Sequence, residues 1–147
     1  MNSQELHRFP LLKEIDSEGL EALSEWLESE VTAPGCNIFE EGEHAGALLL
    51  VSSGTVRLES SRSALAARVK AGSALGGVSL IAGGTREMSA IAESECELLM
   101  LSETAFRNLL EEAPRVACQV AIAIGLELAS CARQSLDALS GVGEVSD

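Results

Sequence analysis

Between residues 31 and 101, turn-forming residues divide the sequence into short runs that suit β-strands. Glycine and proline adopt the backbone angles of tight turns at little cost, so pairs of them mark strand ends. Several short strands between regular turns predict an antiparallel β-roll, or jelly roll, for this region. The turn signals are Pro34-Gly35, Glu41-Gly42, Ser52-Ser53-Gly54, Ala71-Gly72, Gly76-Gly77 and Gly83-Gly84.

The runs between these turns differ in their expected burial. Leu48–Val51 is continuously apolar, which is typical of a strand covered on both faces. Thr55–Glu59 alternates polar and apolar residues, which is typical of a strand with one exposed face, and Ser52-Ser53-Gly54 predicts a hairpin turn between the two. Further strands are expected at Arg68–Lys70, Ser89–Glu93 and Leu98–Leu101.

Helical periodicity appears before the strand region, in the N-terminal segment 1–30. The spacing predicts helices at residues 4–9 and 17–30, and Pro10 should end the first of them. Asp16 or Ser17 can cap the second helix. Its apolar face contains Leu20, Leu23, Trp26 and Leu27.

Helical periodicity returns in segment 102–140. Ser102-Glu103-Thr104 can cap one helix, and Pro114 fits the first turn of a long second helix that runs to about Leu139. Gly141 and Gly143 should end that helix. The 147 residues therefore predict a single α+β domain: an antiparallel β-roll (double-stranded β-helix or jelly roll) flanked by short N-terminal helices and a long C-terminal helix.

The charge balance restricts the kinds of partner. The chain carries 10 Lys and Arg against 23 Asp and Glu, a formal charge of −13, which argues against binding the phosphate backbone of nucleic acids. Aromatic residues are only 3% of the chain, too few for a platform on which bases stack. No nucleic-acid partner is therefore expected, and basic protein partners are favoured only weakly.

Cysteine and histidine usage predicts a cytoplasmic protein without a metal site. Cys36, Cys96, Cys118 and Cys131 form no Cys-x-x-Cys pair, and neither histidine lies at ligand spacing from them, so reduced thiols are expected. The N-terminus lacks the pattern of a signal peptide. The apolar segment 116–132 is too short for a membrane span and contains Gln119 and Glu127, so no membrane partner is expected.

Residues 72–90 combine a glycine-rich turn, one helical turn and a single arginine. Gly76 and Gly77 would let backbone N–H groups approach a ligand closely, and Arg86 could pair with a phosphate near them. On the residues alone an alternative stays open, in which the glycines only shape turns and Arg86 is a surface charge.

The sequence resembles the cyclic-nucleotide-binding domains of the catabolite-activator and regulatory-kinase superfamily over nearly its whole length. Residues 72–90 align without a gap to the phosphate-binding cassette of that family. The other matching segments are Phe9–Leu12, Ser17–Leu27, Pro34–Gly42, Ala47–Gly54, Val56–Leu58, Cys96–Leu101 and Phe106–Leu110.

The resemblance implies that the cassette holds the phosphate of cAMP or cGMP with backbone amides and one arginine. The implied ligand-binding residues are Gly76, Gly77, Val78, Ser79, Arg86 and Glu87. Four positions depart from the family pattern: Gly77 replaces the acidic residue that binds the ribose 2′-hydroxyl, Thr85 replaces a common proline, and Glu87 and Met88 replace two small residues. Loss of that carboxylate removes roughly 1.5–3 kcal/mol, or about 10- to 100-fold in affinity.

Glu87 leaves two arrangements open. If it points inward, it pairs with Arg86 and repels the phosphate. If it points outward, Arg86 stays free and the pocket is weakened but usable. The residues themselves do not decide between these arrangements.

The long helix is apolar around most of its circumference, which favours burial on more than one side and a homodimer of paired C-terminal helices. A monomer whose helix packs only on its own roll is the alternative. Small residues that permit a close helix approach are Ala117, Ala121, Gly125 and Ala129. Candidate contacts to a bound base are Glu127, Ser130, Cys131 and Gln134.

Two functions follow from these observations. The first is a non-enzymatic sensor that binds a cyclic nucleotide (cAMP or cGMP) or a related small anion, weakly because of the departures in the cassette, and signals through its C-terminal helix. The second is a protein-interaction module that keeps the fold without the ligand. An enzyme is not expected, because no nucleophile and base lie in a recognisable arrangement. No helix-turn-helix output module is expected, since only eight residues follow Leu139.

Overall fold

The strands form two four-stranded antiparallel sheets. A computed structural model describes residues 3–61 and 66–146, without the side chains of residues 3, 4, 78, 131, 132 and 134–146. In spatial order, the first sheet contains β1 (Glu28–Thr32), β8 (Cys96–Ser102), β3 (Ala47–Ser53) and β6 (Ala74–Leu75). The second contains β2 (Asn37–Phe39), β7 (Ser89–Ala92), β4 (Thr55–Glu59) and β5 (Ala66–Lys70). Most consecutive strands alternate between sheets, which gives the predicted roll.

Helices precede and follow the strands of the roll in the sequence, which confirms the predicted α+β class. Before it lie α1 (Ser3–Leu6), a 3-10 turn (Pro10–Leu12) and α2 (Ser17–Ser24); within it lies α3 (Gly77–Ala82); after it lie α4 (Glu103–Glu112) and α5 (Pro114–Ser146). Asp16 caps α2 by accepting a hydrogen bond from Gly19 N–H, and Ser102 caps α4 by accepting one from Ala105 N–H. Both caps lie at positions that the sequence predicted.

Several predicted helix bounds are wrong. The predicted helix at 17–30 ends at Ser24, because Glu28–Thr32 forms β1 and pairs along its whole length with β8. This strand pairing outweighs the helical periodicity of the segment. The first helix ends at Leu6 rather than residue 9. At the other end, α5 continues past Gly141 and Gly143 to Ser146, since each glycine costs a helix only about 1 kcal/mol.

The predicted hairpin between β3 and β4 is also wrong, because the two strands belong to different sheets. The chain turns between them at Gly54, whose φ is +94°. A side chain at Gly54 would collide with the backbone of Glu95 and Cys96. A bulge between Val51 and Ser53 adds the bend that carries the chain from one sheet to the other.

The central strands β3 and β8 of the first sheet are buried on both faces. Leu48 and Leu50 pack with the helices in one hydrophobic cluster, whereas Val51 and Leu98 pack in a second cluster against the other sheet. Successive side chains of a strand point to opposite faces, so the continuously apolar run of β3 serves both clusters. The roll is therefore anchored to the helices through β3 and β8.

Candidate functional site

Arg86 precedes β7 and turns its side chain into the interior of the roll. Only 8% of the residue is exposed. Its backbone is fixed by two hydrogen bonds of 2.8 Å: Gly42 N–H donates to the carbonyl of Arg86, and Arg86 N–H donates to the carbonyl of Glu43. This segment therefore places a cationic side chain in a defined interior position.

The guanidinium lies between an aromatic ring and a backbone carbonyl. Its Cζ is 4.2 Å from the centroid of the Phe39 ring, within the range of a cation–π contact. Its Nη2 donates a hydrogen bond of 3.1 Å to the carbonyl of Ala47. Its Nε is buried and has no hydrogen-bond partner. One donor of a buried cation is thus left unused.

The guanidinium of Arg86 occupies the space that a side chain at position 76 would need, so Gly76 is what allows it to fit. Its φ is +80°, in the left-handed region that favours glycine. A Cβ at this position would collide with Nη1 of Arg86 and lie 2.8 Å from the carbonyl oxygen of Ala47. The glycine is therefore required both by its backbone angle and by the close approach of Arg86.

No carboxylate neutralises Arg86 within ion-pair distance among residues 3–61 and 66–146. Burial lowers the pKa of Arg86 from its usual value, and the nearby negative charge of Glu43 opposes this effect. Glu87 is exposed and forms no ion pair with Arg86, so the outward arrangement is the one observed. Arg86 is thus a buried cation whose charge has no direct partner in the described chain.

A cavity of about 250 Å³ lies between α3 and α5, next to Gly76. Its lining residues are Ala74, Gly76, Gly77, Ser79, Ile124, Glu127 and Leu128. A Cβ at Gly77 would lie 3.2 Å from both Cγ1 and Cγ2 of Ile124. Helix α5 therefore covers the cassette at the position where the family pattern has an acidic side chain.

A second cavity of about 710 Å³ extends from Ala74 and Glu127 to the 3-10 turn and β5. Two of the four predicted base contacts, Glu127 and Ser130, line this cavity. The side chains of the other two, Cys131 and Gln134, lie outside those described, and so does the side chain of the cassette residue Val78. Burial raises the pKa of Glu127 from its usual value. The structure thus brings two of the predicted base-contact residues to one cavity.

Three residues around the site were not identified from the sequence: Phe39, Ala47 and Ile124. Phe39 lies in the turn-rich run before β3, where no periodicity shows which way a side chain points. Ala47 takes part through its carbonyl, which any residue type carries. Ile124 belongs to an apolar helix on which the inward face cannot be distinguished by residue type.

Neither a metal cluster nor a membrane span is found in the described part of the chain. Among the residues whose side chains are described, there is no group of three or more His, Cys, Asp or Glu that could hold a metal ion. Within residues 3–61 and 66–146, every helix is too short or too polar to cross a bilayer.

The sequence of this chain is similar to a known protein family and to a curated protein. Residues 30–113 match the family model described as "Cyclic nucleotide-binding domain". The cAMP-dependent protein kinase regulatory subunit of Yarrowia lipolytica is 29% identical over 106 residues, which is 71% of this chain and 28% of that protein. The chain therefore spans less than a third of the length of this curated relative.

Solved structures show the same fold. The catabolite activator protein of Thermus thermophilus is 32% identical with a TM-score of 0.70, covering 89% of this chain and 63% of that chain. The cyclic nucleotide-binding-like protein of Brucella abortus is 31% identical with a TM-score of 0.63, covering 76% and 98%. The N-terminal domain of a transcriptional regulator from Streptomyces coelicolor is 27% identical with a TM-score of 0.75, covering 86% and 94%.

Proposed function

Because the chain belongs to the cyclic nucleotide-binding domain family, we propose that it is a non-enzymatic regulatory module that binds a cyclic nucleotide through Arg86. The cassette 72–90 would hold the cyclic phosphate, and α5 would carry the response. Both cAMP and cGMP are candidate ligands. The Yarrowia lipolytica relative is a regulatory subunit of a cAMP-dependent kinase, which supports a regulatory role.

The buried, unpaired guanidinium of Arg86 is the observation that carries this proposal. Removing a cation from water costs several kcal/mol unless an anion or a set of acceptors replaces the water. Arg86 has one carbonyl acceptor and an Nε without a partner. A phosphate offers several oxygen acceptors and the missing charge, so it would satisfy this side chain where the chain itself does not.

The second candidate function is an interaction module that has lost the ligand. The absence of a side chain at Gly77, together with the contact between this position and Ile124, favours it. In that case Arg86 would be a remnant held by Phe39 and Ala47. The two functions differ in whether a nucleotide binds at all.

Calorimetric titration with cAMP and cGMP distinguishes the two functions. We expect saturable binding that weakens about 10- to 100-fold in Arg86→Lys, because lysine cannot reproduce the forked donors of arginine. Arg68→Lys is the matched control, since Arg68 is exposed and paired with Glu93 at 3.0 Å. No heat at millimolar nucleotide would reject the sensor, and equal binding by the Arg86 and Arg68 variants would reject binding through Arg86.

We further propose that two copies of the chain pair through α5. Ile122 and Leu126 lie one turn apart on this helix, and each is 61% exposed. Gly125 lies beside them, and a Cβ added there would meet nothing within 4 Å. Exposed apolar side chains around a small residue allow two helices to approach closely, and a two-fold axis would use the same face of each copy.

A further inference from the structure

Glu127 is the only ionisable residue among the described residues that line the 250 Å³ cavity beside the cassette. It also lines the larger cavity of about 710 Å³. The two cavities share Glu127 and Ala74, so this carboxyl group lies where they meet. A ligand that occupies the cassette and extends along α5 would pass it.

The carboxyl group of Glu127 has no partner that would occupy it. Among the side chains that the structure describes, none forms an ion pair or hydrogen bond with that of Glu127. Glu127 itself is exposed on α5, and partial desolvation of its carboxyl group, with no cation opposing it, raises its pKa. Its acceptor oxygens are therefore free for a ligand.

The neighbouring position cannot supply such an acceptor. Gly77 has no side chain, and a Cβ there would already press against Ile124 at 3.2 Å. Ile124 is itself buried at 4% exposure, so it has little room to withdraw while α5 keeps its place. At this end of the cavity, hydrogen-bond acceptance by a carboxylate comes from α5 rather than from the cassette.

Charge restricts what Glu127 can accept from. Arg86 lines neither cavity, but its guanidinium lies against Gly76, which lines the smaller one, so an anion at Arg86 and the carboxylate of Glu127 would repel each other. The part of the ligand that faces Glu127 must therefore be a neutral donor. Cyclic AMP carries two such donors, the sugar hydroxyl next to the phosphodiester ring and the amino group of the base. The hydroxyl lies nearer the phosphate and fits the smaller cavity, which leaves the larger cavity for the base.

We infer that Glu127 accepts a hydrogen bond from the sugar hydroxyl of the bound cyclic nucleotide, an inference that rests on the proposed function. Recognition of the hydroxyl is thereby assigned to the same helix that covers the cassette. Ligand binding and the position of α5 then share one contact, which a cassette carboxylate would not provide.

The test compares the affinities of cAMP, 2′-deoxy-cAMP and cyclic IMP for the full chain. We expect the wild type to prefer cAMP over the deoxy analogue by about 10- to 100-fold, the effect of one charge-assisted hydrogen bond. In Glu127→Gln the amide oxygen can still accept a neutral hydrogen bond, so this preference should fall by about 5- to 10-fold, while the affinity for 2′-deoxy-cAMP is kept. Glu111→Gln removes one exposed negative charge from α4 and should leave the preference unchanged.

Three other outcomes are distinguishable, and each would overturn a different claim about the site. If the preference survives in Glu127→Gln while binding still depends on Arg86, the role of Glu127 is wrong and the sensor function stands. If Glu127→Gln instead removes a preference for cAMP over cyclic IMP, Glu127 contacts the base amino group and the hydroxyl assignment is wrong. If neither these three nucleotides nor cGMP binds the wild type, the sensor function itself is wrong.

Discussion

Gly76 and Arg86 fit together as a pair: the guanidinium of Arg86 fills the space where any side chain at position 76 would begin. The φ of +80° at Gly76 turns the cassette so that its backbone passes directly over Nη1. The loop and the arginine therefore fix each other's position, although ten residues separate them in the sequence.

Gly76→Ala is expected to destabilise the protein more than an alanine at another glycine of similar backbone angle. Alanine in the left-handed region costs roughly 1–2 kcal/mol, and the collision with Arg86 adds an overpacking cost of about 1–3 kcal/mol. Gly35→Ala is the control, because Gly35 has a φ of +83° and nothing within 4 Å of an added Cβ. Urea unfolding measures both free energies. Equal losses in the two variants would show that the contact with Arg86 adds no strain.

Gly77 and Ile124 should be energetically coupled. Gly→Ala inside a helix normally gains about 1 kcal/mol, and Gly125→Ala should show this gain because its Cβ would meet open space. In Gly77→Ala the crowding against Ile124 should offset the gain. A double-mutant cycle with Ile124→Ala should give a coupling of about 0.5–3 kcal/mol by chemical denaturation. Additive effects would mean that α5 does not press on the cassette in solution.

Asp16 should make the stability depend on pH in the acid range. The hydrogen bond from Gly19 N–H, opposed by partial burial and assisted by Arg115, lowers the pKa of Asp16 below its usual value of 3.8. A carboxyl group with a lowered pKa in the folded state stabilises that state above pH 3.8, and this contribution is lost as the pH falls through the folded-state pKa.

Asp16→Asn isolates this effect, because asparagine keeps a cap acceptor but does not titrate. We expect the thermal unfolding temperature of the wild type to fall more steeply below pH 4 than that of Asp16→Asn. Glu14→Gln, an exposed change of equal charge two residues away, is the control. Parallel curves for the wild type and Asp16→Asn would contradict the proposed contribution of the cap.

Leu126→Lys should disrupt the proposed pairing of α5 helices. Light scattering should give twice the chain mass of 15.4 kDa for the wild type and a single chain mass for this variant, because a charge would be buried in an apolar interface. Leu110→Lys on α4 alters an apolar residue of 43% exposure outside that face and should remain dimeric. A wild type of one chain mass at micromolar concentration would reject the dimer.

The sequence predicted elements whose signal is local. The caps at Asp16 and Ser102 were predicted because a side chain and a backbone amide three residues apart decide them. The wrong predictions concern contacts between distant segments. Residues 28–30 were assigned to a helix because their strand partner, β8, lies about 70 residues away. The turn at Gly54 was read as a hairpin because sheet membership is not encoded at the turn itself.

The same distinction applies to the site. Gly76 and Arg86 were singled out because glycine and arginine have chemical properties that the sequence displays directly. The stacking on Phe39 and the cover that Ile124 gives to Gly77 depend on how the roll closes and where α5 lies. The direction of Glu87 likewise follows from the backbone path at the start of β7, which residue types did not determine.

The stacking of Arg86 on Phe39 has a consequence for how quickly and selectively an anion can be captured. The long arginine side chain is held by the protein itself, between a ring and the Ala47 carbonyl. An arriving anion therefore does not have to order a mobile side chain, a step that elsewhere costs about 0.5–1.5 kcal/mol. Discrimination among anions then depends on whether their shape fits a stationary charge, and those that would require Arg86 to leave the ring are disfavoured.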